Sequence, residues 1–418
     1  MHAGARRERD LHLPGRLGGL LLAAGHPVRP GQADRAGRPG AVRRAEPDRL
    51  EPAVRGIGDR DAADDPGVRD LPAALRPRHR GDGHQGVSDE LTVGLLGAGR
   101  IAGVHAQAYR ALPGVRLVAV ADPVAGKAER IAVEHGAETL RDLGSLLELG
   151  VDVVDVCTPP HQHAGPTLAA LAAGRHVICE KPLARTLDEA RRVVAAAAAA
   201  PGLLMVGHVA RFEPDHRGAR DRVVAGEIGV VRQLTHSTTS GLPGWGEAGW
   251  LTDPARSGGP LLDQAVHSFD FARWVIGSPA VRVQCMAAAG AAGPATYTLT
   301  TVRYENGAIA HVECGWAHPA ARGFKLSAEI VGAEGRLSWS YDQLIGGVLY
   351  PREGDAEWWD VLGDRGFVLE LGAFLDAIRA GGPSPVPAAE ALESLRTALA
   401  ALESAGTGRT VDLTTWEG

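Results

Sequence analysis

Lysine is scarce in this chain. Of its 44 basic residues only Lys127, Lys181 and Lys325 are lysines. Arginine is the default cation, so a lysine at a strand end calls for its own explanation. Cysteine is also rare: Cys157, Cys179, Cys285 and Cys314 include no CxxC pair, and their wide spacing excludes a zinc knuckle or a disulfide framework and reads as buried, reduced thiols. Long apolar runs are missing too. The patch at 17–24 is broken by glycine and falls short of the roughly 18 residues a membrane helix needs. Arg6, Arg7 and Arg9 ahead of it faintly mimic a secretory leader, but Glu8, Asp10 and His12 intrude. With a formal net charge of -6 and 22% charged residues, the chain lacks the concentrated basic surface that binds nucleic acid by displacing counterions.

At 418 residues the chain exceeds one ordinary core and predicts two domains with an appendage. Residues 1–88 supply the appendage. They are rich in Arg, Gly, Pro, Ala and Asp, hold no lysine and keep no period, the composition of a disordered segment. A flexible arm and a translation start set too far upstream both account for it; the second is favoured, with the protein beginning near Val87 or Ser88.

The pattern changes at Leu91. "LTVGLLGAGRIAGVHAQAYRAL" is an apolar strand, a glycine-rich turn and a helical stretch, the context of a dinucleotide fingerprint. Gly97 permits the tight turn, Gly99 lets the backbone approach a pyrophosphate at the helix N-terminus, and Ala102 fills the small third position. The strand "VRLVAVADP" ends in Asp122, placed to accept from the adenosine ribose and to repel a 2'-phosphate, which favours NAD over NADP. The alternative for Asp122 is an N-cap. Helices at 125–135, 143–149, 164–173 and 188–200 then alternate with strands "DVVDVCTPP", "HVICE" and "LLMVGH". Such alternation predicts a doubly wound parallel sheet, with Thr158, Pro159 and Lys181 on the same carboxyl rim as the glycines.

Lysine on that rim does what arginine cannot, since desolvation or a neighbouring cation brings its proton into play near neutrality. A surface lysine paired with Glu180 is the bland alternative. Beyond Arg211 and Phe212 the architecture differs: a helix at 214–229, a strand at 230–238, a loop with Trp245 and Trp250, the helix "GPLLDQAVHSFDFARWVIG", successive hairpins including Asn306-Gly307, and closing helices at 367–379 and 388–405. This predicts an α+β domain with a large mixed or antiparallel sheet. Asp263 and His267, four apart, share a helix face, and a histidine held by a carboxylate serves as general base for an alcohol proton. Asp270, three positions beyond His267, reads either as a further partner or, the favoured reading, as a solvated surface carboxylate. His161 and His163 form an HxH, but no further ligand has suggestive spacing, so no metal is expected.

Taken in order, "GLLGAGRIA", "VAVADP", "DVVDVCTPPHQH", "HVICEKPLA", "GHVARFEP" and "GGPLLDQAVHSFD" resemble the Gfo/Idh/MocA family of NAD(P)-dependent sugar and cyclitol oxidoreductases over residues 91–413. The resemblance implies a cytoplasmic dehydrogenase of a sugar, inositol or related polyol, dimeric or tetrameric, with a Rossmann domain at 89–210 and a substrate domain at 211–418. It also implies catalytic Lys181, Asp263 and His267, with Asp263 orienting both substrate and histidine. The cofactor set becomes Gly97, Gly99, Arg100, Ile101, Ala102, Asp122, Thr158, Pro159, His163, Glu180 and Lys181. Arg211 meets either a polar substrate or a structural carboxylate. Pro160 and Ala265 depart from the family pattern and bear on pocket shape. An NAD-using glycosidase of the same family and a non-catalytic nucleotide-binding regulator are the rivals.

Overall fold

The computed structural model describes residues 90–242, 249–289, 295–318, 324–341, 345–351, 357–359 and 366–418; both readings of the first 88 residues, and Trp245, lie outside them. The chain opens with β1 (Leu91–Leu96), α1 (Arg100–Arg110), β2 (Val115–Ala121), α2 (Ala125–His135), β3 (Glu138–Leu140), α3 (Leu143–Leu149), β4 (Val153–Val156), α4 (Ala164–Ala172), β5 (His176–Glu180), α5 (Leu187–Ala199) and β6 (Leu204–Gly207). The six strands are all parallel, in the order β3-β2-β1-β4-β5-β6. Helices cover both faces of such a sheet, and so β4 and β6 are buried at every position. Local chemistry sets the helix ends: Thr186 accepts from the Glu189 N–H at the start of α5, and left-handed Gly136 and Gly150 stop α2 and α3. The strand order reverses between β1 and β4, which opens a crevice at the carboxyl ends of those strands. β3 was not expected from the sequence. Its three residues have no apolar run to announce them.

The second half holds α6 (Pro214–Val224), β7 (Val231–Gly241), α7 (Pro254–Ser257), α8 (Val266–Ile276), β8 (Ala280–Ala289), β9 (Ala295–Tyr304), β10 (Ile309–His318), β11 (Lys325–Gly332), β12 (Gly335–Ser340), β13 (Ile345–Pro351), β14 (Glu357–Trp359), α9 (Gly366–Ala380), α10 (Ala388–Thr407) and β15 (Val411–Asp412). Nine strands run in the order β14-β13-β12-β11-β7-β10-β9-β8-β15, and the β7–β10 pair alone is parallel, so the sheet is mixed. Asn306-Gly307 makes the β9–β10 turn, with Gly307 at φ +89° and its N–H on the Tyr304 carbonyl at 3.0 Å. Alternation gives the sheet one buried face (Thr300, Val302, Ala310, Val312) and one outer face (Leu299, Thr301, His311). α8 and α10 lie on the buried face, and α10 also packs against α5 and β6 of the first sheet. The helix read from residue 259 is present without a break to residue 276, with a π-helical turn, Leu261–Ala265, inside it ahead of α8.

Candidate active site

The glycine turn between β1 and α1 is shaped for a close-fitting phosphate. Gly97 sits at φ +91°, and a Cβ there would lie 2.8 Å from the Cys157 carbonyl oxygen, so only glycine fits. At Gly99 a Cβ would meet nothing within 4 Å, which leaves room beside the N-terminus of α1. Gly99 gives α1 no side-chain cap, and no acidic residue occupies its first turn, so its N–H groups face that room. Arg100 and Ile101 begin the helix, and Ala102 is fully buried beneath it. Asp122 Oδ2 accepts from the Ala98 N–H at 2.9 Å and Oδ1 from the Val124 N–H at 2.8 Å. Asp122 therefore ties the ends of β1 and β2 together, and Val124, not Asp122, occupies the N-cap of α2. An uncapped helix start, an open glycine and a carboxylate 24 residues beyond Ala98 fit a dinucleotide.

Lys181 follows β5 directly, and its peptide bond to Pro182 is cis. Its ammonium crosses to the second half, donating to the Asp263 carbonyl at 2.5 Å and to Asp263 Oδ1 at 3.2 Å. Asp263 lies in the π-helical turn, a geometry that interrupts the regular hydrogen-bond ladder and recurs at functional sites. Glu180 is not the partner of that ammonium. It is buried, accepts from the Lys181 backbone N–H at 3.1 Å and lies 3.3 Å from His105 Nε2. His163 is a brace: its ring nitrogens contact the Pro182 and Thr158 carbonyls, each at 2.7 Å, which ties the loop after β4 to the loop after β5. Thr158 and Pro159, at the head of that first loop, remain partly accessible on the rim.

His267 stands one turn beyond Asp263, but no hydrogen bond joins them; Asp263 belongs to Lys181, and His267 Nδ1 is buried without a partner. Burial, then the Lys181 charge, pushes His267 well below its ordinary 6.5, so the ring is neutral and available as a base near neutral pH. Asp270 is not solvated. It is fully buried and takes Arg211 bidentately, Nε to Oδ2 and Nη2 to Oδ1 at 2.7 Å each, while Ser394 donates to Oδ1 at 3.0 Å. Burial alone would raise Asp270; the Arg211 charge and these hydrogen bonds outweigh it and hold the group low. Arg211 also donates to Glu390 at 2.7 Å, which makes it the structural ion pair of its two readings.

Sequence reading missed a buried polar network behind Glu180. His105 Nδ1 and the Tyr109 hydroxyl each lie 2.8 Å from Asp155 Oδ2, and Cys157 Sγ is 3.4 Å from Oδ1. Ligand atoms of His105, Asp155 and Cys157 fall within 4.8 Å of one another, and the short His105–Asp155 contact is a hydrogen bond that closes the space between them. Burial pushes His105 down, but the Asp155 carboxylate and Cys157 outweigh it and hold the imidazole well above its ordinary value. The signals were present: an aspartate inside the apolar "VVDVC" strand, and His105 and Tyr109 at i, i+4 on the inner face of α1.

A parallel sheet of this order with a phosphate-ready glycine turn, and a lysine at its rim reaching an aspartate in a second domain, define a nicotinamide-dependent oxidoreductase. Residues 91–208 match the oxidoreductase family with an NAD-binding Rossmann fold, and residues 216–338 match the GFO/IDH/MocA C-terminal domain. The chain is 34% identical to the D-glucoside 3-dehydrogenase of Escherichia coli (strain K12) over 55% of its own length and 71% of that protein. It is 28% identical to the scyllo-inositol 2-dehydrogenase (NAD(+)) of Bacillus subtilis (strain 168) over 76% of its length and 95% of that one. Among solved structures, levoglucosan dehydrogenase in complex with NADH and levoglucosan superposes with a TM-score of 0.71 at 25% identity, covering 78% of this chain and 99% of that one. The chain belongs to the Gfo/Idh/MocA oxidoreductase family.

Proposed function

We propose that this oxidoreductase interconverts a secondary alcohol and a ketone on a sugar, inositol or related polyol, with NAD preferred over NADP. The observation that carries the reading is the Lys181–Asp263 pair beside a neutral, buried-edge His267. Bound NAD supplies the two-electron acceptor or donor. The chain's own groups handle the oxygen and its proton. His267 accepts the hydroxyl proton at the ring nitrogen opposite its buried Nδ1, and Lys181 donates a hydrogen bond to the same oxygen. Asp263 seats the ammonium by side chain and carbonyl together, so its role is with the lysine and not with the histidine. Asp122 discriminates by charge, since a carboxylate at the ribose disfavours a 2'-phosphate. His163 and Glu180 act by holding the loops that carry Thr158, Pro159 and Lys181.

In this reading residues 89–210 form the nucleotide domain and 211–418 the substrate domain. The protein works in the cytoplasm, in keeping with four free, buried cysteines and with no described helix long and apolar enough to cross a membrane. It assembles as a dimer or tetramer through the outer face of the mixed sheet, where Met286 and Leu299 are cross-strand neighbours, 67% and 41% exposed.

The test is a panel of sugars and inositols offered to the purified protein with NAD and with NADP while nicotinamide absorbance is followed. Turnover of at least one cyclic polyol, faster with NAD, is expected. Release of free sugar without net absorbance change would replace the reading by a glycosidase, and nucleotide binding with neither signal by a regulator.

A further inference from the structure

Three ring nitrogens without partners gather behind the proposed base. His208 follows β6 and is 1% exposed, and neither of its nitrogens has a hydrogen-bond partner. Its ring stands at 86° to that of His267 with centroids 5.9 Å apart. His208 Nδ1 is also 3.9 Å from Asp270 Oδ2. The third nitrogen is His267 Nδ1, buried and equally unpartnered. A histidine that takes a proton from substrate keeps its own proton on the opposite nitrogen, and that N–H needs an acceptor to fix the tautomer. Asp263 is engaged by Lys181, and Asp270 is gripped by Arg211 and Ser394. His208 is the ring that neighbours both His267 and Asp270.

We propose that His208 is the positioning residue of His267: it accepts the His267 Nδ1–H and donates toward Asp270, which leaves the outer nitrogen of His267 open to the substrate hydroxyl. This rests on the reading of His267 as the base. The groups around His208 are His267 and Asp270 from α8, Arg211 from the turn after β6 with Glu390 of α10 behind it, and Glu180 and Lys181 from the end of β5. Burial lowers His208, Asp270 opposes, and Arg211 and Lys181 lower it again, with a net fall below its ordinary value. The ring is therefore neutral. A neutral imidazole has one donor and one acceptor, which is what a place between an N–H and a carboxylate requires. The His208–Asp270 separation of 3.9 Å is longer than a hydrogen bond, and this positioning requires it to tighten on complex formation, as catalytic contacts do.

The experiment is nitrogen NMR of the full-length, histidine-labelled protein saturated with NAD, with His267→Asn used to identify the His267 signals. In the wild type, His267 should carry its proton on Nδ1 and show coupling across a hydrogen bond to a His208 nitrogen, a reading that needs no variant. His208→Phe should lose the Nδ1–H preference, and His208→Gln should keep it. With the polyol found active in the panel, kcat should fall roughly tenfold or more in the Phe variant and largely recover in the Gln variant, with NAD affinity unchanged in both. A wild-type His267 protonated at Nε2, missing coupling, or an unchanged tautomer in His208→Phe while His267→Asn is inactive would overturn the proposal alone. Wild-type kcat in His267→Asn would instead overturn the base assignment on which it stands.

Discussion

Lys181 and Arg211 show how differently two cations serve one molecule. The lysine has two acceptors from one residue and stays partly accessible, as a group that must reach substrate has to. Lys181→Ala should lower kcat by at least about two orders of magnitude, the scale of acid-base assistance, while NAD binding followed by fluorescence is retained; wild-type turnover would remove the lysine from the mechanism. The arginine is walled in by Asp270 and Glu390. Arg211→Met should cost about 3–5 kcal/mol, because the fully buried Asp270 loses its counter-ion. Urea unfolding measures this, and a loss under 1 kcal/mol would mean that Asp270 is held by other groups.

Among the elements, α9 carries the most unusual burden. Glu370 on its inner face is fully buried, and neither carboxyl oxygen has a hydrogen-bond partner. Burial, then the Glu180 charge, pushes its pKa well above 4.5, with His105 opposing. The native state thus keeps a proton that the unfolded chain releases, and stability contributed at low pH is lost as pH rises from the ordinary glutamate value through the raised one. Glu370→Gln should raise Tm at pH 8 by roughly 2–4 °C, about 1 kcal/mol for a domain of ordinary size, with a smaller gain at pH 5. Calorimetry at the two pH values gives the comparison, and equal gains would show that Glu370 is ionised in the native state. Elements like α5, with its Thr186 cap, and the Gly97 turn were legible because their signals are local. Asp270 was misread because α8 is buried almost all round and has no solvent face for a carboxylate. Its partner lies 59 residues away, and Arg211 meets Glu390 across 179 more; no sequence window spans such pairs. The Asp263–His267 spacing reads in the sequence as one helix face, but Asp263 lies in the π-helical turn and is claimed by Lys181 from the end of β5.

For the whole molecule, the outer face of the mixed sheet is the surface through which we propose that copies associate. Leu299 pairs with Met286 on one side and with Glu313 on the other, and Glu313 is held by Ser237 and by the Tyr297 hydroxyl. Leu299→Glu sets like charges directly opposite one another on the surface proposed to be shared between copies. Sedimentation should show a dimer or tetramer for the wild type and a monomer for the variant, with the circular dichroism of both alike; a wild-type monomer would end the proposal for this face. α10 has a different reach. It packs against β8 and α8 of the second half and against α5 and β6 of the first. A ribosome that has finished β6 and α5 has not yet made the helix that packs against them, so that edge of the first-synthesised sheet must wait for nearly the last turn of the chain.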